Sequence, residues 1–204
     1  MNMKKIISFF IVACCAMCAT AAKVVWQIGV ADNSGTELAL GPSEYKKFLA
    51  HDFGYEDRYF LVGTSVDKND FPYVLPGPDD TWGGTWSTSG WRTHDANILF
   101  GIKKLPKHGK WKLVVDLVDA NPSRSVVKVM VNSAEKKFEI KGHSKGVLEG
   151  NLQDAKEQIL EFPISANDLK KGGNMVTVSV LEGGWIVFDQ IRLEGADELV
   201  LGKE

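Results

Sequence analysis

Apolar and polar residues alternate with a period of two along most of this chain. Nine runs read as strands: Val24 to Gly29, Tyr59 to Val62, Ala96 to Ile102, Trp111 to Val118, Val126 to Val131, Lys137 to Lys141, Gln158 to Ile164, Met175 to Leu181 and Trp185 to Leu193. A strand turns successive side chains to opposite faces, so alternation marks a half-buried strand. Val, Ile, Phe and Trp dominate these runs, and Gly, Pro, Asn and Asp separate them. Such spacing predicts an all-β sandwich. Val126 to Val131 and Lys137 to Lys141 read as neighbours in one sheet. Helix is confined to short pieces. Ser43 is placed to cap a helix over Glu44 to Leu49, and Ser165 to Gly172 reads as one turn closed by its glycine. Residues 146–154 read as loop.

The first 22 residues follow a different pattern. Lys4 and Lys5 precede an apolar run from Ile6 to Met17, and small residues close the segment at Ala19 to Ala22. That order is expected of a secretory signal peptide, and the run falls short of the about 20 residues needed to span a bilayer. The expected organisation is a leader over 1–22, a sandwich over 23–195 and a polar tail over 196–204. The expected destination is periplasmic or extracellular. All three cysteines, Cys14, Cys15 and Cys18, fall in the leader. The sandwich therefore holds no disulfide and no thiolate, and depends on its core. Ile11-Val12-Ala13-Cys14 also resembles a lipoprotein processing box, which leaves a lipid anchor at Cys14 as the alternative to simple cleavage.

Charge narrows the partners. Loss of the leader removes two lysines and no acid, which moves the formal net charge from −2 to −4. With both signs spread along the chain, no nucleic-acid partner is expected. Some 180 residues are enough for one domain with a sizeable core.

One segment breaks the pattern. From Asp67 to Asp95 no regular element fits, and Trp82, Trp86 and Trp91 lie there among Gly, Ser and Thr. Long irregular loops in compact domains often bind ligands. Indole faces pack against the C–H faces of sugar rings, while polar groups at the rim bond hydroxyls. The candidate sugar-binding set is Trp82, Trp86, Trp91 and Tyr73 for the faces, with Asp79, Asp80, Arg92 and His94 for the hydroxyls. The competing reading is that the indoles only pin the loop to the sandwich. Trp26, Trp111 and Trp185 lie within strands and read as core.

No catalytic or cofactor signature stands out. His51, His94, His108 and His143 lack metal-ligand spacing. A phosphate loop and His-Glu-x-x-His are missing from the sequence. No cofactor is expected. A structural calcium would suit Asp79 and Asp80, but a solvated pair of turn carboxylates is the preferred reading of them.

The motif order resembles a known family. Trp26-Gln27-Ile28-Gly29-Val30-Ala31-Asp32 resembles the opening of a domain in the rhamnogalacturonan lyases of polysaccharide lyase family four. Tyr55 to Tyr59, Ala96 to Ile102 and Val127 to Asn132 are similar to its inner motifs. Ile164, Leu169, Gly172 and Asn174, then Phe188 to Glu194, resemble its closing segment. The likeness runs from Val24 to Gly195, and the loop from Asp70 to Trp91 departs from it. It implies the carbohydrate-binding-like third domain of those enzymes, a galactose-binding-like jelly roll with one short helix. It also implies that catalysis belongs to another domain, so no catalytic residue carries over.

The expected function is therefore a secreted, non-catalytic carbohydrate-binding module for pectic or related plant polysaccharide. Its partners would be a poly- or oligosaccharide and a catalytic polysaccharide-degrading domain. The alternatives are a ligand-free accessory domain of a lyase or hydrolase, a fragment of such an enzyme, or a small glycan-active enzyme.

Overall fold

The computed structural model describes residues 22–40, 57–80, 94–142, 144, 146–147, 150–195 and 197–202. The strands are β1 (Lys23–Gly29), β2 (Arg58–Leu61), β3 (Val74–Leu75), β4 (Ala96–Lys104), β5 (Lys110–Ala120), β6 (Arg124–Val131), β7 (Ala134–Lys141), β8 (Gln158–Ser165), β9 (Gly172–Glu182), β10 (Ile186–Gly195) and β11 (Val200–Gly202). One helical turn, α1 (Asp67–Asp70), and a 3₁₀ turn at Leu152–Asp154 are the helical pieces among the described residues.

Two sheets pack face to face. The five-stranded sheet runs β1-β10-β5-β8, with β3 beside the first residues of β10. The six-stranded sheet runs β11-β4-β9-β6-β7, with β2 parallel to β4. β2 and β11 occupy successive stretches of the same edge of β4, because β9 takes the other edge. This is the jelly-roll sandwich that the alternating runs imply, and β6 and β7 pair as expected.

The inner faces make one core. Ile98, Phe100 and Ile102 of β4 and Val176, Val178 and Val180 of β9 meet Leu113, Val115 and Leu117 of β5 and Phe188 and Ile191 of β10. Trp26, Trp111 and Trp185 are buried in it as expected. Trp26 packs on Phe100 at 5.4 Å between centroids, and Phe71 meets Phe188 edge-on at 5.3 Å. Buried aromatic and aliphatic side chains each contribute about 1.5–3 kcal/mol of transfer free energy, which is how a domain without disulfides is held.

Three local expectations change. The tail is not wholly irregular, since Val200 to Gly202 pair with β4. The segment after Asp67 is not structureless throughout, because it contains α1 and β3. Ser165 to Gly172 is no helix: Ser165 ends β8, its N–H and hydroxyl donate to Asp168, and Gly172 starts β9 with φ +92°. The helix expected over Glu44 to Leu49 lies outside the described residues.

Candidate functional site

Strand register sends the long connections to one end of the sandwich. β1, β5, β7 and β9 finish there, and β2, β4, β6, β8 and β10 start there. The chain therefore leaves β1, β3, β5, β7 and β9 and enters β2, β4, β6, β8 and β10 at that end. The opposite end carries the shorter turns 105–109, 132–133, 166–171 and 196–199.

The tryptophan-rich segment springs from two fixed posts at the loop-bearing end. At its start, a Cβ on Gly77 would overlap the carbonyl oxygens of both Gly183 and Gly184, so only glycine fits there. The Asp79 N–H donates to the Gly183 carbonyl at 3.0 Å. Asp80 turns inward and accepts the Gly77 N–H at 3.0 Å. Burial pushes its carboxyl up to about 6, against the lowering effect of that hydrogen bond, and the neighbouring Asp79 charge adds to the rise.

At the segment's exit, His94 is buried with Nδ1 3.7 Å from the Asp57 carboxylate, an ion pair when the imidazole is protonated. The Asp95 N–H donates to the same carboxylate at 3.0 Å. The Asp95 carboxylate in turn accepts the Ser179 hydroxyl at 2.5 Å. Behind the posts, Asp119 is fully buried and accepts the N–H groups of Ala120 and Ser144, which ties residue 144 to β5.

The expected sugar contacts divide as follows. Trp82, Trp86, Trp91 and Arg92 lie outside the described residues. Asp79 is exposed beside them in sequence. Asp80 and His94 are buried and act as the posts. Tyr73 corrects an expectation: with 0 % of its surface exposed it belongs to the core. The reason is backbone pairing on both sides, since its N–H donates to Ala39 and its carbonyl accepts from Phe188. Asp79 and Asp80 thus take different environments, one solvated and one enclosed. Among the described residues, no group of three His, Cys, Asp or Glu side chains is placed to hold a metal ion.

Sequence reasoning missed the buried acids. Asp116 and Asp119 in β5 and Asp189 in β10 are 3 %, 0 % and 1 % exposed. Their signal was available as acids inside otherwise apolar runs. Asp189 accepts the Ser34 N–H at 3.0 Å and is further bonded by the N–H groups of Asn33 and Gly35. It closes the loop that follows β1 at the same end of the sandwich.

Residues 24–193 match the family described as CBM-like, polysaccharide lyase family 4, domain III. The chain belongs to this family. A rhamnogalacturonate lyase of Dickeya dadantii is 24 % identical over 183 residues, spanning 84 % of this chain. This chain spans 28 % of the length of that relative. Among solved structures, a family 35 carbohydrate-binding module from an environmental isolate is similar with a TM-score of 0.40. The two are 15 % identical over 55 % of this chain and 73 % of the module. A family 35 module from Cellvibrio japonicus has a TM-score of 0.38 and 11 % identity over 55 % and 72 %. The described frame is that of the CBM-like domain III family matched over residues 24–193.

Proposed function

We propose that this domain is an exported, non-catalytic carbohydrate-binding module that holds pectic polysaccharide for a polysaccharide-degrading catalytic unit. The observation that carries the reading is the mounting of the tryptophan-rich segment. In this family domain the sequence places three indoles within ten residues, and a buried hydrogen bond before that segment and a partly buried one after it anchor its flanks at the loop-bearing end. Binding sites need such fixed supports, because ordering a free loop on binding would consume affinity. Trp82, Trp86 and Trp91 would present ring faces, with Arg92 and Asp79 at the rim. Asp80 and His94 would hold the two flanks of the segment. Export rests on the leader-type pattern of residues 1–22.

The test is intrinsic fluorescence of residues 23–204 titrated with rhamnogalacturonan, polygalacturonate, galactan and xylan, repeated with Trp82→Ala/Trp86→Ala. A saturable change with a pectic glycan, lost in the folded double variant, is expected. A folded domain that responds to none of these glycans would overturn the reading in favour of a ligand-free packing domain.

A further inference from the structure

Across the outward face of the six-stranded sheet runs a strip without side chains. Gly202 of β11 pairs with Gly101 of β4, and Gly101 pairs with Gly173 of β9. Phe100 and Ile102 enter the core, so strand alternation turns Gly101 and its two partners outward, with Gly101 buried on the floor between the exposed Gly173 and the half-buried Gly202. Glycine weakens a strand interior and commonly marks close approach by another chain or a ligand. Three in one cross-strand row are unusual enough to need a reason.

The strip has two unlike banks. On the side toward the long loops stand Leu61, Leu99 and Met175, which are also in register with one another across β2, β4 and β9. Met175 is 38 % exposed. On the other side, at the short-turn end, stand Lys103 of β4 and the exposed Lys170 and Lys171 of the β8–β9 turn. At each end the strip opens into a cavity. One of about 500 Å³ lies between Leu61, Thr64, Gly101 and Gly202. The other, of about 600 Å³, lies between Leu99, Ser133, Lys170 and Gly173.

The second cavity has a stiff wall. Asn174 is 2 % exposed and clasps the turn: its amide nitrogen donates to the carbonyls of Lys170 and Gly172, and its oxygen accepts from Lys170 N–H and from Asn132. Those amides are consumed internally, which leaves the Lys170 ammonium and the Ser133 and Thr64 hydroxyls for a ligand.

The charge at this end runs against that of the whole chain. Lys107 in the β4–β5 turn and Lys110 at the start of β5 are exposed beside Lys103 and Lys104. The Ala166 N–H donates to the Gly109 carbonyl, so this turn touches the β8–β9 turn. Glu198, 3.9 Å from Lys104, Asp197, which accepts the Lys110 backbone N–H, and Asp168, which accepts from Ser165, offset part of it. Lys103, Lys107, Lys170 and Lys171 make no ion pair among the described residues. A chain with net charge −2 thus gathers an excess of lysines over acids at this end.

We propose that this trough is a second glycan site, separate from the tryptophan segment, and that it takes a chain of acidic sugars. The sugar chain lies along the glycine strip, with C–H faces against Leu61, Leu99 and Met175 and carboxylates toward Lys103 and Lys170. A neutral glycan leaves the lysine bank unused, and a bare anion leaves the apolar bank unused; a polyuronate uses both. The inference rests on the glycan-binding reading but not on the segment that carries it.

Affinity electrophoresis of residues 23–204 in gels containing polygalacturonate tests it, alongside gels containing neutral galactan. The variants are Lys103→Glu/Lys170→Glu, Gly173→Leu and Trp82→Ala/Trp86→Ala, each checked for folding by circular dichroism. Expected are retardation by polygalacturonate that weakens at 300 mM salt, a loss of at least about tenfold in the lysine variant, and a similar loss on filling the strip. The tryptophan variant keeps its retardation. Unchanged retardation of the lysine variant overturns the proposal. So does binding to galactan alone, which leaves the glycan-binding reading standing. Binding to phosphatidylglycerol vesicles in place of polygalacturonate overturns it in favour of an anionic membrane surface.

Discussion

The carboxylate of Asp189 accepts the backbone N–H of Ser34 at 3.0 Å across 155 residues of sequence. Gly29 lies against the same residue so closely that a Cβ on it would overlap the Asp189 carbonyl oxygen. The opening Trp-x-Ile-Gly-x-x-Asp motif and the closing Asp-x-Ile-Arg-Leu-Glu motif are therefore two halves of one joint. Asp189→Ala leaves three loop N–H groups without their acceptor, and is expected to destabilise by about 2–4 kcal/mol. Asp189→Asn keeps one acceptor oxygen and is expected to lose less. Urea denaturation of both variants checks the order, and equal losses would show that the hydrogen bonds contribute little.

How much of this was legible depends on whether the determinant is local. The strands were readable because alternation in runs such as Ala96 to Ile102 reports one face of a sheet directly. β11 was missed because Val200 to Gly202 are three residues in a polar tail, and only the open edge of β4 makes them a strand. α1 was missed for the same reason: Asp70 caps its start by accepting the Val66 N–H at 2.7 Å, and Asp67 is fixed by Gly29, 38 residues away. Tyr73 was read as a binding residue because its neighbours are those of a loop, yet Ala39 and Phe188 carry it into the core. The posts at Asp80 and His94 were picked out as polar residues near tryptophans. Their supporting role came from Gly77 and Asp57, which no period or spacing announces.

Burial pushes the Asp116 carboxyl up to about 6. The negative charges of Asp189 and Glu157 add to the rise, and Arg192 opposes it. Among the described residues, Asp116 Oδ1 and Asp189 Oδ2 have no hydrogen-bond partner. A carboxyl that binds its proton more tightly when folded stabilises the fold fully only below its unfolded value of about 3.9, and loses that stabilisation as pH rises through 6. A shift of this size is worth roughly 2–3 kcal/mol. Asp116→Asn, neutral at every pH, is therefore expected to be more stable than the natural chain at pH 7.5 by about 1–2 kcal/mol. The two converge near pH 4. Denaturation curves at both pH values decide it, and a difference that does not change with pH would sink the assignment.

Glu194 provides the opposite sign. Burial raises its pKa, but hydrogen bonds from Arg192 and Lys112 outweigh that and hold it below the usual carboxylate range. Its contribution is present above the unfolded value and fades as pH falls through the lowered one. Glu194→Gln is expected to cost more stability at pH 7 than at acid pH, the reverse of Asp116→Asn, when the same curves are recorded.

The support of the tryptophan segment can be separated from its ring faces at Gly77. Any side chain there collides with the carbonyls of Gly183 and Gly184, backbone atoms that cannot move aside without disturbing the β9–β10 turn. Gly77→Ala is expected to cost about 1–3 kcal/mol, the range for forcing extra volume into a packed site. The same displacement moves Asp79 and Asp80, and with them the start of the segment. Pectic glycan binding should therefore weaken even under conditions where the variant is fully folded by circular dichroism. Asn174→Ala makes the contrast at the other end of the sandwich. It removes a buried clasp of the β8–β9 turn, with an expected loss of about 3 kcal/mol, and leaves Gly77 and its neighbours in place. If fluorescence titration of the two folded variants with neutral galactan, which makes no use of the lysine bank beside Asn174, showed the same residual affinity, the loss in Gly77→Ala would reflect general loosening of the sandwich. A loss confined to Gly77→Ala would tie glycan affinity to the post that starts the segment.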